Sequence, residues 1–121
     1  MNLEPQRILS HLEKLIDRLS EKNEEYRKLG TAWAETDRAF RLAYAKKILK
    51  LKNTGTAVTL VRKIAEGEPD VSLAQYKMNC AQVEYSACLE SMRNIREAIG
   101  AYRSFLTWLR AELHESGGVR I

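Results

Sequence analysis

The sequence predicts an all-α protein: a long antiparallel two-helix coiled-coil hairpin with a short helix at the turn, assembling into a helical-bundle oligomer. Three observations carry this. Only two prolines interrupt 121 residues, and 45% of the residues are apolar against 30% charged. Leu, Ala, Glu, Lys and Arg dominate, and all are strong helix formers. Two long stretches repeat their apolar residues at alternating threes and fours, the heptad signature.

The first helix is expected from Pro5 to Lys52. Pro5 suits a first turn, where its missing N–H costs nothing. With Leu9 as position a, the a set is Leu9, Ile16, Asn23, Gly30, Asp37, Tyr44 and Leu51. The d set is Leu12, Leu19, Tyr26, Trp33, Phe40 and Lys47. Asn23, Gly30 and Asp37 leave three consecutive a positions without an apolar side chain, which fixes register at a cost in stability. Asn53 and Gly55 stop this helix. Thr56 caps a short helix over 56–66, whose apolar stripe is Ala57, Leu60, Val61, Ile64 and Ala65. Pro69 and Asp70 open the last helix, expected over 70–115. Its a set is Val71, Met78, Tyr85, Met92, Ile99, Leu106 and Leu113, and its d set is Ala74, Ala81, Cys88, Ile95, Tyr102 and Leu109. Gly117 and Gly118 end it, leaving 116–121 as a flexible tail. The whole chain reads as one elongated helical domain.

Short connections favour antiparallel neighbours. Pairing Leu51 with Val71 sets Asp37 against Tyr85, Gly30 against Met92 and Asn23 against Ile99. The d layers then set large against small, with Phe40 near Ala81 and Trp33 near Cys88. Ile8, Leu15, Leu29, Leu42 and Ile48 on the first helix, and Val83, Leu89, Phe105 and Trp108 on the last, fall off this seam. Spare apolar surface of that kind marks an interface, so the sequence predicts a homodimer or higher oligomer.

Charge is localised. Arg38, Arg41, Lys46, Lys47, Lys50, Lys52, Arg62 and Lys63 fall in a stretch, 38–65, that holds no acidic residue. Residues 1–37 and 66–121 each carry six basic against eight acidic side chains, so the net +4 comes wholly from the centre. A concentrated single-sign field acts on partners rather than on fold. Those eight cations are the candidate nucleic-acid-binding residues, gathered at the closed end of the hairpin. The plain alternative is a solvated helix C-terminus that favours cations. The Thr54–Gly55–Thr56 turn is too short, and its lysines too displaced, for a nucleotide-binding loop.

Other candidates read as structure. Cys80 and Cys88 lie eight residues apart on one helix, ~12 Å by helix rise, too far to bridge; both are expected as small reduced core residues. His11 and His114 are brought to the open end without metal-site spacing. Most aromatics occupy seam positions, with Tyr44 and Tyr76 nearest the basic end as secondary candidates for base stacking. Nothing supplies a nucleophile–base pair, a metal site or a cofactor site, so the expectation is a non-enzyme without cofactors. No apolar run reaches ~18 residues, and the N-terminus lacks a signal-peptide core. A cytoplasmic protein with no membrane partner is expected.

The stretches AFRLAYAKKILKLK, TGTAVTLVRKIAEGEPDV and AYRSFLTWLRAEL together resemble small helical-hairpin accessory proteins of phage and prophage early regions. The resemblance implies an accessory or interaction protein with nucleic-acid-linked partners. The reading is therefore a helical interaction protein that oligomerises and presents a basic tip to nucleic acid or a nucleoprotein complex. The alternative is a protein-directed adaptor, inhibitor or assembly factor whose tip meets an acidic protein surface.

Overall fold

The structure, a computed structural model, describes residues 4–118. It is all-α, with α1 (Pro5–Asn53), α2 (Val58–Gly67) and α3 (Pro69–Gly118) in that order. The last helix thus runs past the expected end at 115, through Gly117 and Gly118, and the remainder of the expected tail, 119–121, lies outside the described residues. Among the described residues no helix is long and apolar enough to cross a membrane.

The helix ends follow from local chemistry. Glu4 O receives the N–H groups of Arg7 (3.0 Å) and Ile8 (3.2 Å), so the first turn of α1 closes around Pro5. At the other end Gly55 takes φ +79°. Thr56 N–H donates to Leu51 O at 3.1 Å and Gly55 N–H to Lys52 O at 3.2 Å. These two bonds and the left-handed glycine make a Schellman motif, which satisfies carbonyls that α1 would otherwise orphan. Thr54 adds an Oγ1–H bond to Leu51 O at 3.0 Å. The start of α2 differs from expectation: Ala57 rather than Thr56 is the N-cap, and it makes no side-chain cap bond. Glu68 N–H returns to Ala65 O at 3.3 Å, and α3 then begins on Pro69 with Asp70 in its first turn.

The chain divides into two compact units, residues 1–25 with 88–121 and residues 26–87. In the first, Leu12, Ile95 and Ile99 form a buried cluster against which Leu15, Leu19, Tyr102 and Leu106 pack. His11 stacks on Tyr102 with ring centroids 5.8 Å apart. The Cys88 thiol donates to Lys22 O at 3.6 Å. In the second unit Val61 and Ala65 of α2 and Val71 at the start of α3 are buried.

The two long helices treat their heptads differently. On α3 every a and d residue from Val71 to Leu109 is buried or half-buried, and only Leu113 is exposed. On α1 the phase is rotated. Leu9 and Ile16, expected at a, are 50% and 46% exposed, whereas Ile8 is buried and Leu15 half-buried. The inner stripe begins as Ile8, Leu12, Leu15 and Leu19, then takes in Gly30, Trp33, Asp37 and Tyr44. Neighbouring residues sit ~100° apart around a helix. Turning the stripe half that far takes two to three heptads at a drift of ~20° each, the stretch from Leu12 to Trp33.

Register is also corrected. Tyr85 meets Gly30, Tyr26 and Trp33, not Asp37. The pairing is one heptad away from the expected one. Asp37 instead pairs with Arg41 on its own helix.

Candidate nucleic-acid interface

The second unit holds the whole basic stretch. Counted over 26–87 it carries eleven basic and six acidic residues, whereas the first unit carries nine and ten. The last turns of α1 set Lys46, Lys47 and Lys50 along one groove of about 360 Å³, floored by Ala39, Leu42 and Ala43 and edged by Asp70. The spacing 46, 47, 50 is one helical face by the i, i+3 and i, i+4 rule. Lys50 and Lys52 lie in the last turn of α1, where the unpaired carbonyls favour cations.

The eight candidate cations are not equivalent. The Lys47 ammonium lies 3.6 Å from Glu68 Oε2 and 3.8 Å from Asp70 Oδ1, and its side chain is only 18% exposed. It joins the end of α1 to the start of α3. The Arg41 Nε sits 3.1 Å from Asp37 Oδ2. Arg38, Lys46, Lys50, Lys52, Arg62 and Lys63 are exposed, and among the described residues no ion pair engages them. Six cations therefore remain available to an anionic partner. The groove joins Lys46 and Lys50; Arg62 and Lys63 project from α2, and Arg38 is not part of the groove lining.

Apolar residues sit among these cations; the sequence placed Leu42 off the seam but not Leu49, Val58, Leu60 or Ile64. Leu42, Leu49, Val58 and Leu60 are half or more exposed, and Ile64 is 39% exposed. Leu60 and Ile64 were expected in the buried stripe of α2; one ten-residue helix seats only Val61 and Ala65 inward. The signal was present in the sequence, since a stripe five residues wide exceeds what one contact covers.

The aromatic candidates divide as well. Tyr44 is half-buried and packs against Phe40, with centroids 5.9 Å apart. Tyr76 is 66% exposed. The neighbouring Cys80 thiol holds its phenol pKa above the ordinary value. Cys80 is exposed rather than in the core, because it lies opposite the a and d stripe of α3; Cys88, at d, is buried. Loss of solvation pushes the Cys88 thiol up, Glu25 adds to that and Lys22 opposes it. The Tyr26 and Tyr85 hydroxyls share a hydrogen bond, which together with loss of solvation raises the Tyr85 pKa, and their rings stack at 4.5 Å. Among the described residues no group of three His, Cys, Asp or Glu side chains is placed to hold a metal ion. His11 spends its ring on Tyr102, twelve residues before His114 on the same helix, ~18 Å by helix rise.

No protein family, curated protein or solved structure matches the chain.

Proposed function

We propose that this chain is a non-enzymatic helical interaction protein that oligomerises and uses its basic end to contact nucleic acid or a nucleoprotein complex. In this reading α1 and α3 form one long antiparallel hairpin whose closed end is the basic one. The observation that carries it is the set of six exposed, unpaired cations in one unit: Arg38, Lys46, Lys50, Lys52, Arg62 and Lys63. Cations without carboxylate partners are the ones free to replace counterions on a phosphate backbone. If all six engage duplex phosphates, log Kobs falls with log salt at a slope of about −5, and with single strands at about −4. The groove holds no base-reading geometry, so binding is indifferent to sequence.

The test is binding of labelled single- and double-stranded DNA at low and moderate salt, using the Lys46→Glu/Lys50→Glu/Lys52→Glu variant as control. Lys47 is left in place, because its reversal would set three carboxylates together. Loss of binding with unchanged helicity supports the reading; equal binding by the variant ends it.

A second reading rests on Leu42, Leu49, Val58 and Leu60. Apolar side chains among cations have no use for phosphate, and they suit an acidic protein surface with its own apolar patches. An adaptor or assembly factor of the phage-accessory type is then the function. Absence of DNA binding at low salt favours it.

A further inference from the structure

We propose that the outer face of α3 in the second unit docks a second copy of this chain, antiparallel and through the same face. This rests on the oligomeric part of the reading above and not on its nucleic-acid part. Leu73, Tyr76, Cys80, Val83 and Ala87 follow one another at spacings of three, four, three and four, and all are exposed. Leu73 is 54%, Tyr76 66% and Val83 67% exposed. They occupy the c and f positions of the α3 heptad, diametrically opposite the inner a and d residues Ala74, Met78, Ala81 and Tyr85. The inner face is accounted for by its burial. The outer face repeats the same 3.5-residue period, and that period matches another helix rather than a sheet or a flat surface.

The flanks choose the partner and the register. On one side stand Ser72, Asn79 and Ser86, all uncharged. On the other stand Lys77 and Glu84, one heptad apart, both exposed and without an ion pair among the described residues. Their own helix separates them by ~10.5 Å of rise, too far to pair within one chain. A second copy running antiparallel brings Lys77 of each chain beside Glu84 of the other, two ion pairs related by a two-fold axis. That register sets Cys80 against Val83 and Tyr76 against Ala87, with the large side chain facing the small. The neighbouring antiparallel register, with Cys80 against Tyr76 and Val83 against Leu73, faces Lys77 with Lys77 and Asp70 with Glu84. Like charges all along the charged edge disfavour it. A parallel pair faces the charged edge with the serine and asparagine edge and forms no ion pair. Charge complementarity therefore selects the first arrangement.

The patch is well under the ~800 Å² per partner of a standard interface, so association is weak and reversible, with a Kd on the order of micromolar or above. The experiment is sedimentation equilibrium of the full chain across a wide concentration range, without nucleic acid. Helicity is checked for every variant. Wild type is expected to dimerise with rising concentration, and Val83→Arg to stay monomeric. Lys77→Glu and Glu84→Lys are each expected to weaken the dimer by at least about tenfold, and the double swap to restore it. A wild-type monomer at every concentration overturns both this proposal and the oligomeric reading. A dimer untouched by Val83→Arg overturns the surface alone, and a double swap that stays weak overturns the register. DNA binding, measured separately, is moved by none of these outcomes.

Discussion

Replacing Gly30 with alanine asks directly whether Tyr85 sits where the structure puts it. Glycine inside a helix costs roughly 1 kcal/mol relative to alanine, so the substitution should gain about that much if the new methyl meets open space. At Gly100, also inside a helix, an added Cβ meets nothing within 4 Å. At Gly30 it meets Tyr85 Cε2 at 3.3 Å and Cδ2 at 3.7 Å. Carbon pairs prefer about 3.5–4.0 Å, so the ring must retreat by a few tenths of an ångström. It is not free to do so. Its hydroxyl is hydrogen-bonded to Tyr26, it stacks on Tyr26 at 4.5 Å, and Trp33 lies 5.1 Å away. Overpacking by one methyl against a held ring costs about 1 kcal/mol, the low end of the usual range. Gly30→Ala should therefore leave stability unchanged within about 0.5 kcal/mol, being the difference of two terms near 1 kcal/mol. Gly100→Ala should gain about 1 kcal/mol and raise Tm by roughly 3–5 °C. Urea denaturation at constant slope measures both. Repeating Gly30→Ala in a Tyr85→Ala background should release the helix gain, giving a coupling near 1 kcal/mol. If Gly30→Ala alone gains as much as Gly100→Ala, Tyr85 is elsewhere. The pairing of Gly30 with a pliable Met92, one heptad away, would then be the true register.

Four further outcomes follow from the packing, the charges and the thiols. Leu12→Ala should cost about 2–4 kcal/mol because Leu12 is buried against Ile95 and Ile99, whereas Leu9→Ala, at a half-exposed site, should stay within about 0.5 kcal/mol. Denaturant midpoints separate the two, and a reversed order would restore the unrotated phase of α1. Lys47→Ala should lose about 0.5–1 kcal/mol at low salt and less in 1 M salt, because Glu68 and Asp70 lose a shared cation; Lys46→Ala should change DNA binding and not stability. A thiol reagent should modify Cys80 at once and Cys88 only on unfolding. The Cys88 pKa is raised in the folded state, so its contribution to stability is whole below the ordinary thiol value of about 8.5. It is lost as pH rises through the folded value. Denaturation between pH 8 and 9.5 should show this decline in wild type and not in Cys88→Ala.

What the sequence made legible, and what it hid, divides along physical lines. The α3 seam was legible because its neighbours do not compete. Beside Met78, Tyr85 and Met92 stand Lys77, Glu84 and Ser91, so no phase next to the a and d stripe is apolar. On α1 the apolar residues come in adjacent doublets, Ile8–Leu9 and Leu15–Ile16, on either side of the d position Leu12. Either member completes a 3–4 repeat with Leu12 and Leu19, so periodicity alone cannot choose between them; packing against Ile95 and Ile99 does. Register was hidden for a related reason. A heptad repeat looks the same after a shift of one heptad. The tie is broken by singular features, here the one glycine of α1 lying under the one tyrosine ring that needs the space.

The basic stretch shows the same limit applied to charge. A count over 38–65 treats eight cations as one field, and the field is real at distances longer than their spacing. Contact is decided closer in. The acidic residues that neutralise part of it, Asp37 on one side and Glu68 and Asp70 on the other, lie just outside that window in sequence. The fold returns them to within 4 Å of Arg41 and Lys47. A helix end that binds an outside anion must leave cations that the chain's own carboxylates do not reach. Lys46 and Lys50 meet that condition on the same groove where Lys47 does not, although all three lie within five residues. Charge reversal at Lys46 and Lys50 therefore probes binding, charge removal at Lys47 probes the joint between α1 and α3, and a variant that mixes them measures neither.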